Sequence, residues 1–205
     1  LIRLQAEPLK IDYQRLEGQF GPAPYLRDFL KPKIAELLEG TDRGDGNPYN
    51  LYSDGLRITV SIDSRLQANA VAAVKNQMSR IQADFDAHWK SSKPWGNDAS
   101  FLWNEAEKSV RYRRLENAGR TEKEIKEIFD TPVRLRVFTM DGYQSKTISP
   151  LDSIAYHQMI LQAGFLAMNA KTGNILAYVG GIDFGHFPYD HITSRRQVGS
   201  TFKPF

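Results

Sequence analysis

An α+β fold is predicted for this chain from three patterns. Leu56, Ile58, Val60 and Ile62 alternate with Arg57, Thr59 and Ser61, the period of a half-buried strand. Val133, Leu135, Val137 and Thr139 alternate again just before Asp141-Gly142, a hairpin-turn signal. Between them, Leu66, Ala70, Val74, Met78, Ile81, Phe85 and Trp89 recur at intervals of four and three, one apolar face of a long helix. The 205 residues are 41% hydrophobic and 25% charged, enough apolar material for a buried core.

Composition removes several classes of function. With no Cys, disulfides, thiolate zinc sites and cysteine nucleophiles are excluded. No apolar run approaches the ~18 residues of a membrane-spanning helix, and the first residues show no signal-peptide pattern. The formal charge is +3, from 27 basic and 24 acidic residues, which is no footprint for nucleic acid. The densest basic run, Arg111-Tyr112-Arg113-Arg114, sits near Glu105, Glu107 and Glu116 and reads as a solvated helix face.

Residues 1–50 read as a connector, with a Gly/Pro-rich break at 17–24. A helix is expected over 25–39, with Pro32 kinking or splitting it. Residues 40–48 follow as a loop. The strand at 56–62 leads to the long helix, whose first amides Asp63 or Ser64 would cap. After an interruption at 91–97, two helices are expected at 99–117 and 122–129, the second opened by Thr121 with Glu124 three residues on. Phe101, Trp103, Val110 and Leu115 are their few apolar anchors, so 90–130 reads as an exposed helical insert. The hairpin's second strand runs to Ile148, and Ser149 caps a helix carrying Ile154, Ala155, Met159 and Ile160. Strands at 164–169 and 174–179 close the pattern, joined by Ala170-Lys171-Thr172-Gly173.

The chemistry concentrates in the last residues, Gly199-Ser200-Thr201-Phe202-Lys203-Pro204. A helix beginning near Ser200 puts Lys203 one turn on, on the same face, within reach of the serine hydroxyl. A serine is a poor nucleophile without a base close by. A lysine serves when a helix N-terminus and a second cation keep part of it neutral. The Ser200 amide would point toward a developing oxyanion. A bare Ser-x-x-Lys is a weak pattern, and its surroundings are what make it specific.

Those surroundings resemble the class A penicillin-binding proteins. Residues 164–181 (GFLAMNAKTGNILAYVGG) and 196–205 (RQVGSTFKPF) are similar to the start of that family's transpeptidase domain. Residues 51–63 (LYSDGLRITVSID) with Leu66-Gln67, Val137-Phe138, 149–154 (SPLDSI) and Pro24-Tyr25 extend the likeness upstream, while 90–130 has no counterpart in it. The resemblance implies a linker at 1–50 after a glycosyltransferase domain and a strand-helix pedestal at 51–150. The opening of a transpeptidase domain follows at 151–205. It implies Ser200 as nucleophile and Lys203 as general base, acting without a cofactor. Peptidoglycan stem peptides and β-lactams would be the ligands, on the periplasmic side of a membrane reached by a segment outside these residues. The family's Ser-x-Asn and Lys-Thr-Gly motifs follow the nucleophile; Lys171-Thr172-Gly173 precedes it and reads as a turn. The chain is therefore expected to be incomplete as a catalyst. The rival reading is a non-catalytic module that docks cell-wall assembly proteins through 90–130.

Other residues carry weaker expectations. His186 and His191 flank Phe187-Pro188-Tyr189-Asp190 and are taken as a loop beside the site, with no metal bound. Phe184, Phe187 and Tyr189 either line a groove or pack under that loop. His88, Trp89 and Trp95 anchor a helix end, and Arg195 and Arg196 are solvated.

Overall fold

The computed structural model describes residues 21–41, 43–96 and 98–203. The expected break at 17–24 lies outside these residues as far as 20, as does Pro204. Contacts divide the chain into residues 1–60 and 61–205.

In the first unit, α1 (Pro24–Glu39) starts on a proline, whose fixed φ suits the first helical position. It runs through Pro32 without a break, so of the two outcomes expected there, a kink or a split, the split does not occur. Proline removes one hydrogen bond, and a helix with full turns on both sides survives that loss. Beyond it, Arg43 pairs with Asp45 at 2.9 Å and Asp54 at 3.0 Å. The Asn50 amide, chiefly, and Arg43 hold the Asp54 carboxyl below its usual range. Residues 56–62 form no strand, contrary to expectation. Ile58 and Val60 are each 47% exposed. An alternating pattern marks a surface that suits a sheet, but a strand exists only where a neighbour offers an edge.

The second unit is built on α2 (Ser64–His88). Its cap is Asp63, whose Oδ1 accepts from the amides of Arg65 at 2.9 Å and Leu66 at 3.0 Å. The buried face keeps Ala70, Val74, Met78 and Phe85 of the expected one and takes in Gln67 and Gln82 in place of Leu66 and Ile81. Gln67, Ala70, Met78 and Gln82 are buried, with Val74 and Phe85 half-buried, while Leu66 and Ile81 are exposed. Spacing left the edge of this face open, and packing set it to include two glutamines.

Residues 99–117 form two helices where one was expected: α3 (Ala99–Glu107) and α4 (Val110–Asn117). The Ser109 hydroxyl accepts from the Tyr112 amide at 3.1 Å and so starts a new helix in mid-run. The Thr121–Glu124 capping box opens α5 (Glu122–Asp130). These three helices are not the exposed insert expected at 90–130. Ala106, Ile125 and Phe129 are 0%, 2% and 0% exposed, packed against Trp103, Tyr112 and Leu115 and against Leu151 and Ile154 of α6 (Pro150–Gln158). Val110, an expected anchor, is 62% exposed. The i, i+4 pair Ile125 and Phe129 supplies the core instead, because it faces α6.

Two antiparallel sheets complete the unit. Strands β1 (Val133–Thr139) and β2 (Gly142–Ile148) pair from Val133↔Ile148 to Thr139↔Gly142. Met140-Asp141 makes the turn and Gly142 adopts φ 110, a conformation that favours glycine. Ser149 caps α6 by accepting from the Asp152 amide at 3.0 Å. Strands β3 (Phe165–Met168) and β4 (Ile175–Val179) pair with a bulge at Ala167/Met168. One face of β4 lies on α2, where Ala70 and Val74 meet Ala177, Val179 and Ala167. The architecture is thus α+β, helices with two small antiparallel sheets. Among the described residues no helix is long and apolar enough to cross a membrane.

The buried glutamines join these parts. The Gln67 side chain donates to the Tyr178 carbonyl at 3.0 Å and accepts from the Tyr178 amide at 2.7 Å. Gln82 donates to the Met159 carbonyl at 3.0 Å and accepts from the Leu161 amide at 2.8 Å. Gln67→Leu should destabilise the chain by about 2–4 kcal/mol in urea unfolding, since it leaves two buried backbone groups unpaired. Gln82→Leu should cost a similar amount, and the exposed Gln77→Leu less than about 0.5 kcal/mol. Equal effects at all three positions would contradict this role for the buried pair.

Candidate functional site

The segment that carries the candidate site leaves β4 at Gly180-Gly181 and returns across the same strand. The Tyr178 hydroxyl donates to Asp190 Oδ2, and Asp190 Oδ1 accepts from the Ile192 amide at 2.9 Å. The His191 amide donates to the Gly180 carbonyl at 2.8 Å. Burial, then the Asp190 carboxylate, push the Tyr178 phenol above its usual range, so it stays a donor. Gly164 allows this return: a Cβ there would meet Ile192 Cγ1 at 3.2 Å and the His191 backbone at 3.3 Å.

Eight residues beyond Ile192 lies Ser200. The chain enters through Gly199, with φ 52, and makes a single 3-10 turn over Gly199–Phe202. The expected helix at Ser200 is therefore a tighter turn, starting one residue earlier. Its hydrogen bond runs from the Lys203 amide to the Ser200 carbonyl at 3.3 Å. Three residues make one turn of such a helix, so positions i and i+3 eclipse and Ser200 and Lys203 share a side. Both are exposed. Among the described residues neither Arg195 nor Arg196 is in an ion pair.

Lys171-Thr172-Gly173 is a turn, as expected. Asn169 Oδ1 accepts from the amides of Lys171 at 2.9 Å and Thr172 at 3.1 Å, and the Gly173 amide donates back to the Asn169 carbonyl at 2.8 Å. Gly173 takes φ 73.

The loop aromatics separate. Phe187 packs edge-on to Phe138, centroids 5.4 Å apart, whereas Tyr189 is exposed. His186 stacks on Phe138 at 5.6 Å and lies 4.4 Å from the His157 ring of α6. No group of three His, Asp or Glu is placed to hold a metal ion among the described residues. His88 meets Trp89 edge-on at the end of α2, and Trp95 stacks on Phe101 at 5.2 Å.

Sequence reasoning missed the Tyr178–Asp190 anchor and the His157–His186 contact. Twelve and twenty-nine residues separate these partners, and no local pattern links them. The one available signal was the polarity of Tyr178 inside an otherwise apolar strand.

Burial, and secondarily His186, lower the His157 pKa from an ordinary 6.5 to about 4. Burial lowers His186 too, against the opposing pull of Asp183. The Nε2 of His157 is buried and has no hydrogen-bond partner among the described residues. Unfolded imidazole takes up its proton near pH 6.5 and the folded His157 only near pH 4, so this contribution is complete above pH 6.5. It declines as the pH falls from about 6.5 to 4. Urea midpoints measured across that window should fall, and His157→Phe should flatten the slope. A midpoint independent of pH in the parent chain would contradict a buried neutral imidazole.

The chain has relatives of known name. The family profile described as the penicillin-binding protein middle domain matches residues 76–161, a span that includes the helices over 99–130. Penicillin-binding protein 1A of Rickettsia typhi is 26% identical over 218 residues, covering 94% of this chain and 26% of that protein. Penicillin-binding protein 2D of Bacillus subtilis is 49% identical over 45 residues, 22% of this chain and 6% of that protein. Penicillin-binding protein 1A of Neisseria lactamica is 47% identical over 47 residues, again 22% and 6%. The chain thus spans about a quarter or less of the length of these relatives. No solved structure matches it.

Proposed function

We propose that this chain, similar to penicillin-binding proteins 1A and 2D and matched over residues 76–161 by the penicillin-binding protein middle-domain profile, takes part in peptidoglycan synthesis as part of a D,D-transpeptidase. The observation that supports this reading most is the exposed turn on which Ser200 and Lys203 share a side, in a chain aligned over 94% of its length with a penicillin-binding protein 1A.

In this reading the Ser200 hydroxyl attacks the carbonyl carbon of the terminal D-Ala-D-Ala bond of a stem peptide. Its proton passes to the Lys203 amine and on to the nitrogen of the departing D-Ala. The acyl group, now an ester on Ser200, is taken by an amine of a neighbouring strand, and the serine recovers its proton. A β-lactam acylates the same oxygen. No cofactor enters, because serine and lysine supply both nucleophile and base.

The domain plan that goes with it has a linker over 1–50 and a pedestal over 51–150. The opening of the transpeptidase domain occupies 151–205, and a glycosyltransferase domain precedes residue 1. The protein would work at the periplasmic face of the plasma membrane, held by a helix outside these residues.

In the longer protein, Ser200→Ala should abolish covalent labelling by a fluorescent penicillin. Lys203→Ala should slow acylation by about 10²–10⁴-fold, the range for loss of a positioned base. Undiminished labelling of the Ser200 variant would overturn the assignment. The 205 residues alone should take up no label, because Ser-x-Asn and Lys-Thr-Gly after the nucleophile are needed to bind it; stoichiometric labelling at Ser200 would refute that part.

A further inference from the structure

The turn of the β1–β2 hairpin, α2 and the loop after β4 surround a cavity of about 240 Å³ that the proposed chemistry does not use. Met78, Phe138, Met140 and Ile182 give it apolar walls, and Lys75 and Asp183 are its charged lining residues. Among the described residues neither Lys75 nor Asp183 is in an ion pair. Asp183 is held in place: its Oδ1 accepts from the Tyr143 hydroxyl at 3.3 Å and the His186 amide at 2.7 Å.

An ammonium and a carboxylate that border one partly apolar space without pairing select among ligands by charge. A simple anion gains Lys75 and is repelled by Asp183; a simple cation meets the reverse. A molecule carrying both charges on one carbon satisfies both sides, and the charge-assisted hydrogen bonds it forms are the strong ones. The volume lies below that of ordinary drug-sized pockets and suits a single residue. Two methionine thioethers give walls that adapt to an aliphatic side chain.

We propose that this cavity binds a small apolar α-amino acid as its zwitterion, ammonium toward Asp183, carboxylate toward Lys75 and side chain against Met78 and Met140. The site is distinct from Ser200 and does not depend on its chemistry.

Methyl-labelled methionine provides the test, because the chain has four methionines and only two line the cavity. D-leucine and L-leucine are titrated separately into the 205-residue protein. At least one should shift the Met78 and Met140 signals saturably while Met159 and Met168 stay still. N-acetyl-leucine, which lacks the ammonium, and leucinamide, which lacks the carboxylate, should each bind about tenfold more weakly or worse. Lys75→Gln and Asp183→Asn should lose binding to a similar degree, and the exposed Lys75→Gln decides alone if the loop variant does not fold. No saturable shift with either enantiomer would overturn the proposal. So would capped derivatives that bind as well as leucine, or Lys75→Gln binding like the parent.

Discussion

An edge strand must place its outward backbone groups somewhere, and most of the second unit follows from how β4 does so. In an antiparallel pair, alternate residues turn their N–H and C=O away from the partner. On β4 the Ile175 and Leu176 carbonyls and both backbone groups of Tyr178 bond away from β3, the Ile175 carbonyl accepting from the Ser61 hydroxyl at 2.8 Å. The Asp63 amide donates to the Leu176 carbonyl at 3.0 Å, and the Gln67 side chain takes both groups of Tyr178. A helix start and one side-chain amide thus stand in for a third strand. They seal an edge that would otherwise recruit another chain.

That arrangement fixes α2 against the sheet along its first turns, and Gln82 repeats the device four turns later. By bonding the Met159 carbonyl and the Leu161 amide, it holds the end of α6 where the chain leaves for β3. Buried amides of this kind are demanding, because each must be fully satisfied or it costs more than an apolar residue would. Gln82 meets the demand with a third bond, donated to Asp86 at 2.8 Å. The same helix therefore positions β4 at one end and α6 at the other, and α6 in turn carries the α3–α5 core.

The candidate site inherits this order through Tyr178. Its backbone is held by Gln67 and its hydroxyl holds Asp190, so one residue links the α2–β4 contact to the loop leading toward Ser200. On the opposite side, Phe138 gathers His186 and Phe187, which joins that loop to the hairpin. The approach to the Ser200 turn is braced at residues 186–192 from two directions, while the turn itself is exposed.

Local signals in the sequence determined many features that depend on neighbours a few residues apart, though not the Ser109 cap that divides 99–117 into two helices. Asp63, Thr121 and Ser149 read as caps because a side-chain oxygen reaches only the next turn's amides. Asp141-Gly142 and Thr172-Gly173 read as turns because few residues tolerate positive φ, and Ser200 with Lys203 reads as one face because three residues make a turn. Tertiary structure alone decided that Gln67 and Gln82 of α2 are buried, that 56–62 lacks a strand partner, that Ile125 and Phe129 form a core with α6, and that Tyr178 reaches Asp190. Each of these turns on which distant surfaces meet. An amphipathic pattern states that a face needs covering, but the free energy of covering it belongs to both surfaces together, so one segment's sequence cannot contain it.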